Sequence, residues 1–122
     1  MNVAILGASN KSDRYAFKAQ KMLEEHGHVT FPVSLGGNEI LGRPGFRSIS
    51  EIPPNDRPIH TVTVYLRPEH LDKIGDEIPE LAPSRIIFNP GTESEEWAAK
   101  FEAAGIETVE GCTLVMLSLE QF

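Results

Sequence analysis

Apolar positions along the chain fall into five short blocks, separated mostly by stretches with a helical repeat. Val3-Ala4-Ile5-Leu6 is an unbroken apolar run closed by Gly7-Ala8-Ser9-Asn10. A short run bounded by a turn signal predicts a buried strand, here over residues 2–6. Tyr15, Ala19, Met22 and Leu23 then recur at spacings of four, three and one and predict a helix over 13–26. Gly27 follows, a residue that takes the left-handed conformation at a helix end without steric cost. His28 to Val33 predicts a second strand with Pro32 near its exit.

Residues 34–58 show neither period and are rich in Gly, Pro, Ser and Asn, with a short turn expected near Ser48 to Ile52. So long a connection is unusual in a compact domain and is often functional. Thr61 to Leu66 predicts a third strand. Leu71, Ile74 and Ile78 predict a helix that starts after Arg67-Pro68 and stops around Pro79. Arg85 to Phe88 predicts a fourth strand, and Asn89-Pro90-Gly91-Thr92 a turn. Trp97, Phe101 and Ala104 predict a helix over 93–104 and read as core, with Gly105 as its stop. Ile106 to Val109 is the fifth strand and residues 113–120 a last short helix. Strands alternating with helices predict an α/β fold whose parallel sheet is covered on both faces.

The 122 residues, 40% hydrophobic, suffice for one core and are too few for two typical domains, so 1–122 reads as a single domain. The formal net charge of -7 argues against a protein devoted to non-specific nucleic-acid binding. That charge is uneven: residues 1–60 hold seven Lys or Arg against six Asp or Glu, and residues 67–110 four against eleven. A phosphorylated ligand is therefore better hosted by the N-terminal half. Cys112 is the only cysteine, which rules out an internal disulfide and a cysteine-cluster zinc site. No apolar stretch approaches the roughly 18 residues of a membrane helix, and no signal-type segment opens the chain. A soluble, cytoplasmic protein is expected.

Parallel α/β sheets gather their functional loops at the carboxyl ends of the strands. Those loops here begin at Gly7, Val33, Leu66, Asn89 and Glu110. At the first, a strand ending in glycine and turning into a helix can set backbone N–H groups against phosphate; an ordinary strand-to-helix turn accounts for the same residues. Ser9 and Asn10 can donate to an anion or cap the helix, and Asp13 is the alternative cap. Lys11, Arg14, Lys18 and Lys21 fall along one helix face, with Lys11 and Arg14 nearest the turn and Lys18 and Lys21 better explained as solvated. Arg67, at a strand exit, reads as a surface arginine or as a ligand contact. The turn lacks the second glycine of a dinucleotide fingerprint, and strand two ends without the acidic residue a ribose would need. His26, His28, His60 and His70 are scattered, with no metal-ligand spacing. Glu93, Glu95 and Glu96 suit a helix start. Cys112 lies at the ligand edge and reads foremost as a small buried residue, with a reactive thiol as the alternative.

Order and spacing together resemble the small stand-alone CoA-binding domain proteins, relatives of the N-terminal nucleotide domain of the succinyl-CoA synthetase alpha subunit. The resemblance rests on Val3 to Ser9, Gly27 to Val33, Asn38-Glu39-Ile40-Leu41-Gly42 leading to Ser48 through Pro53, Arg67-Pro68, Asn89 through Glu96, Ala104-Gly105-Ile106 and Gly111-Cys112. It implies a Rossmann-like three-layer sandwich with a five-stranded, mainly parallel sheet, and coenzyme A as ligand. It further implies that the diphosphate lies against Gly7, Ala8 and Ser9. The first helix start and the Val33-Ser34-Leu35 loop would hold the nucleotide end; on the residues themselves, backbone amides at Gly7 to Asn10 would hold phosphate, aided by Lys11 or Arg14. Arg67, Pro68, Asn89, Pro90 and Gly91 would line the cleft, and Cys112, by its position alone, is a candidate contact at the ligand edge. Two departures stand out: Val33-Ser34-Leu35 where the family continues Val-Asn-Pro, and Asn89-Pro90-Gly91 where it often has Gln before its turn. The expectation is a module that binds coenzyme A or an acyl-CoA and has no catalytic activity of its own. Two other readings stay open: a redox-responsive protein using Cys112, and an interaction protein, with a protein partner or a second copy, whose nucleotide site is degenerate.

Overall fold

The computed structural model describes residues 1–122. Five strands, β1 (Asn2–Leu6), β2 (Val29–Val33), β3 (Thr61–Val64), β4 (Arg85–Phe88) and β5 (Glu107–Glu110), form one sheet in the order β2-β1-β3-β4-β5. Every neighbouring pair is parallel, with Ala4 opposite Phe31 on one side and Val62 on the other. Side chains alternate across the sheet, so each strand feeds two cores. Ala4 and Leu6, with Val33, Val64 and Phe88, face a larger cluster closed by Leu71, Ile78, Trp97 and Phe101. Val3 and Ile5 face a smaller one closed by Ala16, Leu23 and Leu117. Helices α2 (Pro68–Ile74) and α3 (Glu95–Ala103) therefore cover one face, and α1 (Tyr15–Glu25) and α4 (Thr113–Ser118) the other. This is the expected Rossmann-like sandwich, parallel throughout.

Local departures have identifiable causes. The buried stripe of α1 is Ala16, Ala19, Gln20 and Leu23, while Tyr15 is 69% exposed. Gln20 occupies a core position because its Nε2 donates to the Ile40 carbonyl at 3.0 Å and to Glu24 Oε2 at 3.1 Å. Neither Ser9, Asn10 nor Asp13 caps the helix: the cap position is Arg14, whose side chain makes no capping bond, and Ser9 Oγ accepts from the Lys11 N–H instead. Helix α2 passes after Ile74 into a 3₁₀ segment, Gly75–Leu81. Pro79 has no N–H for the Gly75 carbonyl, and its ring would crowd that carbonyl in a continuing α-helix. In α3, Ser94 Oγ accepts from the Trp97 N–H, with Glu95 and Glu96 in the first turn.

The long segment after β2 protects the edge of the sheet. The Phe46 N–H donates to the Pro32 carbonyl and the Ser34 N–H to the Phe46 carbonyl, both at 2.9 Å, and Arg43 Nε donates to the Thr30 carbonyl at 2.9 Å. Pro32 directs its carbonyl outward, so its missing N–H removes no bond to β1. The segment then forms a 3₁₀ turn at Ile49–Glu51, inside the predicted Ser48 to Ile52 stretch. Arg57 Nη2 caps that turn by donating to the Ile52 carbonyl at 2.9 Å.

Candidate functional site

From β1 the chain goes to β2 on one side, and β3 then pairs with β1 on the other. Such a reversal opens a crevice outside the carboxyl ends of the strands. The crevice here is a cavity of about 800 Å³. Gly7 to Lys11 form its floor, Ser34 to Gly36, Asn38 and Ile40 one wall, Arg47 to Ile49 a second, and Tyr65 to Arg67 with His70, Lys73 and Ile74 the third.

Gly7 has φ +86°, and a Cβ there would lie 2.7 Å from the Tyr65 carbonyl oxygen, so the turn needs glycine for its own packing. The Gly7 and Ala8 N–H groups both donate to the Val33 carbonyl at 3.0 Å. Two of the amides that the sequence pattern offers to phosphate are thus tied to β2. The Ser9 and Asn10 N–H groups have no partner within the chain and are the donors that remain.

The charge of the lining is one-sided. Four of the eleven Lys and Arg residues line the cavity, Lys11, Arg47, Arg67 and Lys73, and none of the eighteen Asp and Glu does. The chain's single ion pair, Lys100 with Glu96, lies elsewhere, so these four cations have no carboxylate partner. The side-chain charge of the lining is therefore positive in an otherwise acidic protein.

A smaller hollow of about 320 Å³ adjoins it, lined by Gly7, Ser9, Lys11 and Tyr65 together with Arg14, Tyr15 and Ala16. Tyr65 borders both spaces. Its hydroxyl oxygen is buried without a hydrogen-bond partner. Burial pushes its pKa up to about 12, and the neighbouring Thr113 and Thr63 hydroxyls offset only part of that rise.

Of the residues singled out from sequence, Gly7, Ala8, Ser9, Asn10, Lys11, Val33, Ser34 and Arg67 come together in the cavity, and Arg14 in the adjoining hollow. Pro68 begins α2 just behind Arg67. Asn89, Pro90, Gly91 and Cys112 are not brought to either space. The Asn89 side chain turns into the protein: Nδ2 donates to Thr63 Oγ1 at 2.7 Å and to the Val64 carbonyl at 2.9 Å, and Oδ1 accepts from the Thr113 N–H at 2.9 Å. The Gly91 N–H donates to Glu93, and Cys112 is the half-buried cap position of α4. Tyr65, His70, Lys73 and Arg47 line the cavity without having been anticipated. Arg67, His70 and Lys73 at spacings of three carried a signal for one helix face; Arg47, in an irregular segment, carried none.

A CoA binding domain model matches residues 1–118. The chain belongs to the CoA-binding domain family. YneT of Bacillus subtilis (strain 168), described as an uncharacterised protein, is 32% identical over 94 residues, which are 77% of this chain and 67% of that protein. A solved structure of an uncharacterised protein is 40% identical and superposes with a TM-score of 0.92 over 99% of this chain and 97% of its own. The dinucleotide-forming acetyl-coenzyme A synthetase 1 of Ca. Korarchaeum cryptofilum, solved with phosphate and ADP, superposes at 0.75 with 14% identity. That match covers 90% of this chain and 25% of the synthetase, and it is a likeness of fold.

Proposed function

We propose that this protein binds coenzyme A, free or acylated, in the cavity over β1 and β3, and serves as a binding module with no catalysis of its own. The observation that carries the reading is the cavity's charge: unpaired cations, free Ser9 and Asn10 amides and no carboxylate, in a member of a CoA-binding family. The diphosphate would lie on the Ser9 and Asn10 N–H groups beside Lys11, where charge-assisted hydrogen bonds are strongest. Arg67 would approach from the β3 side. Leu35, 95% exposed at the rim, offers an apolar surface for the adenine.

The lining has no thiol and no carboxylate, and the side chain of its one imidazole, His70, is exposed and makes no hydrogen bond. That set provides no paired acid and base, which supports binding over catalysis. Calorimetric titration of nucleotide-stripped protein with coenzyme A tests the proposal. Saturable heat near one ligand per chain is expected. Absence of heat at two temperatures, with the protein folded by circular dichroism, would reject it.

A further inference from the structure

The cavity cations rise from opposite sides of the sheet. Lys11 belongs to the turn that leads into α1, on the face of the smaller core. Arg47 and Lys73 belong to the segment and helix on the opposite face, beside Ile49, Leu71 and Ile74 of the larger core. A phosphate oxygen binds a cationic nitrogen at about 2.7–2.9 Å. A phosphate resting on the Ser9 and Asn10 amides would be met by Lys11 on its own side and by Arg67 at the start of α2, and Arg47 and Lys73, in the walls, are the cations left over for a second anionic group.

Arg47 and Lys73 are unpaired. The backbone N–H of Arg47 donates to Glu51 Oε1 at 2.6 Å, which anchors the residue while its guanidinium makes neither hydrogen bond nor ion pair. Its stem crosses directly over Gly37, where a Cβ would lie 2.6 Å from Arg47 Cγ. Glycine at 37, with φ +64°, gives the arginine its path across the wall. Lys73 is likewise exposed and unpaired, although Asp76 and Glu77 follow it closely in sequence.

We infer that the ligand carries two separated phosphate groups, and that Arg47 with Lys73 selects the second. The inference rests on the coenzyme A reading. With the diphosphate at Ser9 and Asn10, the other anionic group of that molecule is its ribose 3′-phosphate. Arg47 and Lys73 are then specificity determinants for 3′-phosphorylated adenine nucleotides, a class that includes coenzyme A and adenosine 3′,5′-bisphosphate and excludes 3′-dephospho-coenzyme A and ADP.

The test is calorimetry of the whole chain with those four compounds, repeated for Arg47→Ala and Lys73→Ala. Coenzyme A should bind the parent protein roughly tenfold or more tightly than its 3′-dephospho form, the value of one lost charge-assisted contact. Arg47→Ala should bring the two affinities within about threefold by weakening coenzyme A alone. Adenosine 3′,5′-bisphosphate should outcompete ADP in the parent and lose that advantage in the variant. Equal affinities in the parent, or an equal loss for both coenzyme A forms in the variants, would overturn the inference and leave the coenzyme A reading standing. Failure of the parent to bind either form would overturn both.

Discussion

The Val33 carbonyl accepts the N–H groups of Gly7 and Ala8 together, each at 3.0 Å. This shared acceptor ties the turn after β1 to the end of β2, and the next two amides, of the cavity-lining Ser9 and Asn10, have no partner within the chain. The tie requires the left-handed φ of Gly7 and its close approach to the Tyr65 carbonyl. Gly7→Ala should therefore destabilise the fold by about 2–4 kcal/mol, combining backbone strain with a clash against main chain. Urea denaturation measures this; a loss below about 0.5 kcal/mol would show that the turn relaxes freely.

Asn89 is expected to matter for stability far more than for ligand. Its side chain joins β3 to the start of α4 through three hydrogen bonds, and its own carbonyl accepts from Thr92 Oγ1 at 2.7 Å. Asn89→Ala strands the Thr113 N–H in the interior and should cost about 2–3 kcal/mol. Coenzyme A affinity, measured well below the melting transition, should change by less than about threefold. A large affinity loss in a still-folded variant would place Asn89 in recognition.

The contrast between Gly7 and Asn89 marks how far the sequence is readable. Buried parallel strands are short apolar blocks, and the turns between them carry their own residue chemistry, so β1 to β4 and the floor of the cavity are legible; β5, an edge strand with Glu107 and Glu110 exposed, is legible only through Ile106 and the glycine stop before it. Gln20 conceals the true stripe of α1, because a polar residue in the core is recognisable only once its partners Ile40 and Glu24 are known. Asn89 leads the other way. It stands at a strand exit, where ligand contacts gather, but Thr63 and Thr113 draw its side chain inward. Arg47 is illegible for a third reason: its place in the wall depends on an irregular segment crossing β2, and no periodicity encodes that path.

Tyr65 should leave a signature in alkali. Its folded pKa lies near 12, against about 10 for an unfolded chain. The unfolded state therefore releases this proton first. The stability tied to the neutral phenol is complete below about pH 10 and is lost as pH rises through 12. Tyr65→Phe should flatten the fall in melting temperature over that window. It should also remove the tyrosinate absorbance change that the parent shows near pH 12. An unchanged alkaline profile in the variant would mean that the phenol is solvated.

His28 gives the opposite sign at the other end of the sheet. Burial, reinforced by the nearby N-terminal amine at 3.1 Å, lowers its pKa below the usual 6.5. The unfolded chain then binds the proton more readily, and the associated stability, complete above about pH 6.5, declines as pH falls through the lowered value. His28→Gln should make the melting temperature less sensitive to pH across the acid side of that value. A slope identical to the parent's would show the imidazole to be freely hydrated.

Lys11 and Arg14 distinguish the cavity from the adjoining hollow at the start of α1. Lys11 borders both the cavity and the hollow, whereas Arg14 borders the hollow alone. With the diphosphate on the Ser9 and Asn10 amides, Lys11→Ala should weaken coenzyme A roughly tenfold, and Arg14→Ala by less than about threefold. Lys11→Ala should also reduce the loss of affinity on raising salt, since an exposed charge contact is screened and its removal takes that sensitivity with it. Titrations at two ionic strengths distinguish this from a distorted turn, which would weaken binding equally at both. If Arg14→Ala proved the more damaging change, the phosphates would lie in the smaller hollow at the start of α1, and the free amides of that first turn would replace Ser9 and Asn10 as their donors.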